Sequence, residues 1–210
     1  MRILVPVLAA VLITAGCERT TTTDEQAPEQ APRAEALSDT QAARTSSIGG
    51  PDGTVVAEFN RRIKDYMALQ SQLESTLKDL PDKASPREID ANQRALGALI
   101  AKARSDAKPG QVFAPDMQAF ARGVIRHVLE GPDGAKLKAS IQDENPQDTA
   151  VQVNGRYPDA VPLSTMPPDV LAALPQLPEE LEYRFVGNRL ILLDAKAHIV
   201  VDYVSDVFPR

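Results

Sequence analysis

Residues 181–204 read LEYRFVGNRLILLDAKAHIVVDYV, three runs of aromatic, β-branched and leucine side chains broken by Gly187-Asn188 and by a three-residue link. A two-residue break between such runs is a hairpin turn. The turn fixes a register in which Phe185 faces Leu190 and Tyr183 faces Leu192, so four large apolar groups share one face. Alternation extends that face to Ile199, Val201 and Tyr203 on the third run, and places His198, Val200 and Asp202 on the other. A three-stranded meander needs a covering layer, and the rest of the chain has to supply it.

The preceding sequence is helical in period. From Val56, steps of three and four give Phe59, Ile63, Tyr66, Gln70, Leu73, Leu77 and Leu80, a seam broken once by a glutamine and stopped at Leu80-Pro81-Asp82. The seam suits the inner face of a helical hairpin better than a coiled coil, which usually runs longer, although Gln70 could fix register as polar seam residues do. A second helix opens with Ser85, Pro86 and Glu88, a capping box with proline at the first helical position. Its face is Ile89, Leu96, Leu99, Ile100 and Ala103, and Lys108-Pro109-Gly110 stops it. The short link predicts an antiparallel pair. A third helix runs from Pro115 with Met117, Phe120, Val124, Ile125, Val128 and Leu129 on one face, and a shorter fourth covers 135–141. Beyond Asn145-Pro146, Val151, Val153 and Asn154-Gly155 read as strand and turn, and MPPDVLAALP as one or two helical turns.

The fold class is therefore α+β: an N-terminal helical hairpin with one or two further helices packed on a small C-terminal antiparallel β-meander. Residues 54–210 are read as a single domain, helical over 54–142 and β-rich over 143–210. A hydrophobic content of 43% supplies its core, and with aromatics at 4% and no tryptophan that core is mostly aliphatic. The net charge of −6 and the absence of a basic run exclude nucleic acid as a partner.

The chain starts MRILVPVLAAVLITAGCERT. Arg2, an apolar stretch of about 11 residues and the small Ala15 and Gly16 make a secretory leader over 1–16, well short of the ~20 residues a spanning helix needs. Thr14-Ala15-Gly16-Cys17 resembles a bacterial lipobox, with Thr14 where that pattern has an aliphatic residue. The resemblance implies cleavage before Cys17, acylation of its sulfur and a lipid bilayer as partner. Stable anchoring takes more than one acyl chain, which a triacylated cysteine provides. Glu18 after the cysteine resembles outer-membrane sorting. Cys17 is the only cysteine, so the folded part carries neither disulfide nor thiol chemistry. Residues 17–53 are polar and acidic, with few large apolar groups to offset the entropy of ordering, and are read as a disordered tether holding the domain roughly 30 Å from the membrane.

Reactive patterns are sparse. There is no glycine-rich phosphate loop, H-E-x-x-H, cysteine cluster or EF-hand, and Ser164-Thr165 lacks a nucleophile elbow. His127 is read as a partly buried helix residue. His198, with Asp194 and Asp202 close by in sequence, is the one candidate metal or acid-base group, and two groups on one strand face are fewer than a structural zinc site requires. No cofactor is implied, and catalysis is not expected.

The segment LPQLPEELEYRFVGNRLILLDAKAHIVVDYV resembles the terminal hairpin of small periplasmic proteins typified by the nickel/cobalt-homeostasis factor RcnB. It shares the spaced prolines, the aromatic, Val-Gly, the leucine-rich strand ending in Asp and the Ile/Val-rich last strand, and lacks that family's tryptophans. The likeness implies an envelope setting and a small β module, without carrying over a metal ligand. The expectation is a non-catalytic envelope lipoprotein, periplasm-facing, that binds another envelope protein or a cell-wall component. The alternatives are a periplasmic metal-binding protein using His198, Asp194 and Asp202, and an envelope hydrolase.

Overall fold

The computed structural model describes residues 53–145, 149–159 and 161–208. The leader, Cys17 and the tether ahead of Gly53 lie outside the described residues. Helix α1 (Gly53–Glu74) buries Phe59, Ile63, Tyr66 and Gln70, the first members of the predicted seam. The helix stops short of Leu80 because the hydroxyls of Ser75 and Thr76 donate to the carbonyls of Gln72 (2.8 Å) and Leu73 (2.6 Å). Such side-chain bonds compete with the helical ladder. Leu73 and Leu77 still pack against the core, whereas Leu80 is 41% exposed.

Helix α2 (Pro86–Ala103) begins with the predicted capping box: the Ser85 amide donates to Glu88 at 2.7 Å and the Glu88 amide to the Ser85 hydroxyl at 3.3 Å. Leu96, Gly97 and Ile100 form its buried face, and Ile89, assigned to that face by period, is exposed. Gly97 allows close approach to the sheet, since a Cβ there would meet Ile199 Cγ2 at 3.0 Å and the Ala197 carbonyl at 3.3 Å. Helix α3 (Pro115–Leu129) buries Met117, Ala121, Val124 and Ile125. Helix α4 (Gly134–Glu144) extends past the expected end at Ile141 and is capped by Asn145, whose buried amide exchanges two 2.7 Å bonds with the backbone of Gly187 in the hairpin turn. Helix α5 (Pro168–Ala173) is the short helix at the prolines.

Strands β1 (Leu181–Val186), β2 (Arg189–Asp194) and β3 (Ile199–Ser205) form an antiparallel sheet in the order β1-β2-β3. Phe185 pairs with Leu190 and Tyr183 with Leu192, as the two-residue turn requires. Against β2 the third strand slips: Leu192 pairs with Asp202 but Leu193 with Val200, so Val201 is an extra residue. This bulge corrects the simple alternation. Val201 and Asp202 both turn to the helical side, while Val200 and Tyr203 turn outward.

The sheet thus lies between two apolar layers. On one side Tyr183, Phe185, Leu190, Leu192 and Val201 pack with the buried faces of α1, α2 and α3 in one continuous core. Each fully buried large side chain there contributes about 1.5–3 kcal/mol. On the other side Val186, Ile191, Leu193 and Val200 are covered by Tyr157, with Val151 and Val161 beside it. This covering strap has no regular strand over Val151 and Val153, contrary to its sequence pattern. It meets β3 through one bridge, Arg156 to Ile199, with the Asn154 amide donating to Val200 (2.8 Å) and the Tyr157 amide to His198 (3.0 Å). Asn154 at φ 61° turns the chain there.

Candidate functional site

Asp194 ends β2 and is fully buried. One carboxylate oxygen accepts from the Tyr66 hydroxyl and from Gln70 Nε2, both at 2.6 Å, and the other accepts from the Ala197 amide at 2.7 Å. The glutamine that breaks the α1 seam is therefore the partner of a buried acid. Burial, then the adjacent Asp194 carboxylate, hold the Tyr66 phenol far above its usual range. The Arg104 guanidinium lies 5.1 Å from the Tyr66 ring centroid and donates to Asn154 Oδ1 (2.9 Å) and the Val201 carbonyl (3.2 Å). Burial pulls Arg104 below the ordinary arginine range.

Asp202 is also fully buried. The bulge turns it toward the loop between α2 and α3, where it accepts from the amides of Gly110 (2.8 Å), Val112 (2.7 Å) and Phe113 (2.8 Å), and from its neighbour Tyr203 (2.8 Å). Gly110 holds φ 92°, which directs its amide into this nest at little steric cost.

His198 lies at the β2–β3 connection at φ 54°. Its Nε2 is 3.7 Å from Asp159, and its ring meets Tyr157 edge-on with centroids 5.8 Å apart. Around it Arg156 donates to Asp90 (2.9 Å) and Asp159 (2.7 Å), and Arg94 to the same two acids (2.8 and 2.9 Å). Burial, then the charge of Arg156, lower the His198 pKa from its usual value. Arg156 keeps Asp159 below the ordinary carboxylate range, as Arg94 does Asp90.

The three residues singled out in the sequence thus serve different neighbourhoods. Asp194 anchors α1, Asp202 anchors the α2–α3 loop, and His198 joins an ion cluster with α2 and the strap. No hydrogen bond or ion pair joins any two of them, and among the described residues no group of three His, Cys, Asp or Glu side chains is placed to hold a metal ion. His127, expected to be partly buried, is exposed beside a cleft of about 420 Å³ at the α3–α4 junction. Ser164 is buried, and its hydroxyl both donates to and accepts from the Phe185 backbone at 2.9 and 3.1 Å, sealing the edge of β1.

A groove of about 840 Å³, which the sequence reading missed, lies between α5 and β1. Met166, Pro168, Leu171, Pro175, Leu177 and Pro178 line it, and Glu179, Glu182 and Arg184 stand along its rim. Leu171 stands in the groove wall and is 51% exposed. The only sequence signal for it was the recurrence of Pro and Leu over 166–178, which carries no period. The chain matches no family model, none of the curated proteins and none of the solved structures.

Proposed function

We propose that the protein is a non-catalytic binding module of the bacterial cell envelope, anchored to a lipid bilayer through acylated Cys17 and facing the periplasm. One observation supports the non-catalytic part of this reading, the anchor and setting resting on the leader and Cys17 of the sequence: the two buried carboxylates in the β-sheet, Asp194 and Asp202, are engaged by donors from the fold itself. A general acid or base needs an oxygen free to reach a substrate proton. Their placement suits fastening, and the groove between α5 and β1 is lined mostly by apolar side chains, which suits recognition.

The test has two arms. Globomycin should make the precursor accumulate with its leader attached, as cleavage before a lipidated Cys17 requires. Crosslinking of intact envelopes, followed by capture of this chain, should recover a defined partner whose yield falls when Cys17→Ser releases the chain from the membrane. Unchanged processing together with no partner above background would remove both parts of the reading.

A further inference from the structure

We infer that the groove between α5 and β1 is a docking site for a peptide segment that sets apolar side chains next to a lysine or arginine. The inference rests on the binding-module reading and names the site and its ligand.

The floor and walls are mostly apolar, with Gln176 among the lining residues, and are already held in place. The buried Met166 lies at the bottom, and the half-exposed Leu171 stands on one wall with Pro168 beside it. The opposite wall is pinned to the strand it faces, because the Pro175 carbonyl accepts from the Tyr183 hydroxyl and the Pro178 carbonyl from the Leu181 amide, both at 3.0 Å. A wall fixed by prolines loses little entropy when a ligand enters, so the groove is pre-organised. Its volume falls in the range of ligand pockets and admits several side chains.

The polar rim selects the ligand. Arg184 donates to Glu182 at 2.6 Å, so these two charges cancel. Glu179 is exposed, lines the groove and has no ion pair among the described residues, which leaves one uncompensated carboxylate next to the apolar floor. Prolines also contribute no amide donors. A groove offering apolar surface, carbonyls and a carboxylate is complementary to apolar side chains accompanied by a cationic donor, and repels acidic headgroups. Strand addition along the length of β1 is obstructed at both ends of its outer edge. Ser164 already occupies the outward backbone groups of Phe185, and the Leu181 amide is taken by Pro178. Recognition is by side chains.

The full mature chain carrying Cys17→Ser, displayed against a random 12-residue peptide library, provides the test. Selected peptides should combine Leu, Val or Phe with Lys or Arg. A synthetic peptide of the selected sequence should bind about tenfold more weakly to Leu171→Glu, a loss typical of a central apolar anchor. Ala172→Arg, on the same exposed wall, should act likewise, and both variants should keep the parent melting temperature. Glu179→Lys should weaken binding several-fold, and replacing the peptide's basic residue by Glu should restore it on that variant. The inference is overturned if no peptide is enriched, if affinity ignores Leu171 and Glu179, or if Leu171→Glu instead dissolves a dimer in sedimentation, which would make a second copy the occupant. Because the probe is synthetic, failure here leaves the envelope crosslinking result standing on its own.

Discussion

The hydroxyl of Tyr66 donates to the carboxylate of Asp194 at 2.6 Å across a sequence separation of 128 residues, both groups being buried. Removing the hydroxyl with Tyr66→Phe deletes one bond to a carboxylate and is expected to cost about 1.5–3 kcal/mol in urea unfolding. Asp194→Ala leaves Tyr66, Gln70 and the Ala197 amide without an acceptor, and should cost more than Tyr66→Phe, about 3–5 kcal/mol. Equal losses in the two variants would mean that the carboxylate does no more than hold the tyrosine.

Asp202 should behave differently, because its partners are main-chain amides. In Asp202→Asn one carboxylate oxygen becomes an amide nitrogen that faces N–H donors, so part of the nest turns repulsive. The expected loss is about 2–4 kcal/mol. The local sign is faster hydrogen exchange at Val112 and Phe113, with the Tyr183–Leu192 pairing unaffected.

The strap gives a pH dependence whose sign follows from the lowered His198 pKa. The unfolded histidine takes up a proton near its ordinary 6.5, before the folded one does. Stability contributed by the neutral ring is thus complete above that pH and declines as pH falls from 6.5 toward the lower folded value. Arg156 and Asp159 on the strap and Asp90 and Arg94 on α2 set the balance, together with the Tyr157 ring. Both acids have lowered pKa values, so their contributions fade only in stronger acid. Protection factors across 149–159, which correct for the fall of intrinsic amide exchange with pH, should decrease from pH 7 to pH 5, and His198→Gln should flatten that decrease.

Gly97→Ala tests how closely α2 approaches the sheet. Helix propensity favours alanine by about 1 kcal/mol. The new Cβ would press on Ile199 and on the Ala197 carbonyl, and overpacking costs about 1–3 kcal/mol. A net loss near 1 kcal/mol is expected. A gain in melting temperature would mean that the helix can move away from the sheet without penalty.

The β1–β2 register was legible because a two-residue turn admits one pairing, and the start of α2 because Ser85 and Glu88 form a reciprocal pair three residues apart. The extra residue in β3 was not legible. HIVVDYV contains no glycine or proline to mark a bulge, and Asp202 is drawn inward by amides some 90 residues away in sequence. Val151 and Val153 illustrate a related limit: their pattern is that of a strand, but the backbone beside β3 pairs only around Arg156, and the Val151 side chain serves as part of a cover. Asp194, Asp202 and His198 were found as residues from their types alone. What each holds depends on distant chain segments, and local pattern cannot supply that.

The two acids that fasten the helical part both belong to the last two strands, so a nascent chain makes its helices well before it makes the groups that lock them. Until the ribosome has released the C-terminal ribbon, Tyr66 and the 110–113 amides have nothing to grip, and long-range closure of this kind is slow. A chain cut off before Asp194 is expected to retain helical circular dichroism while melting without a cooperative transition. Such a polypeptide would stay threadable during synthesis and set into its final form only when complete.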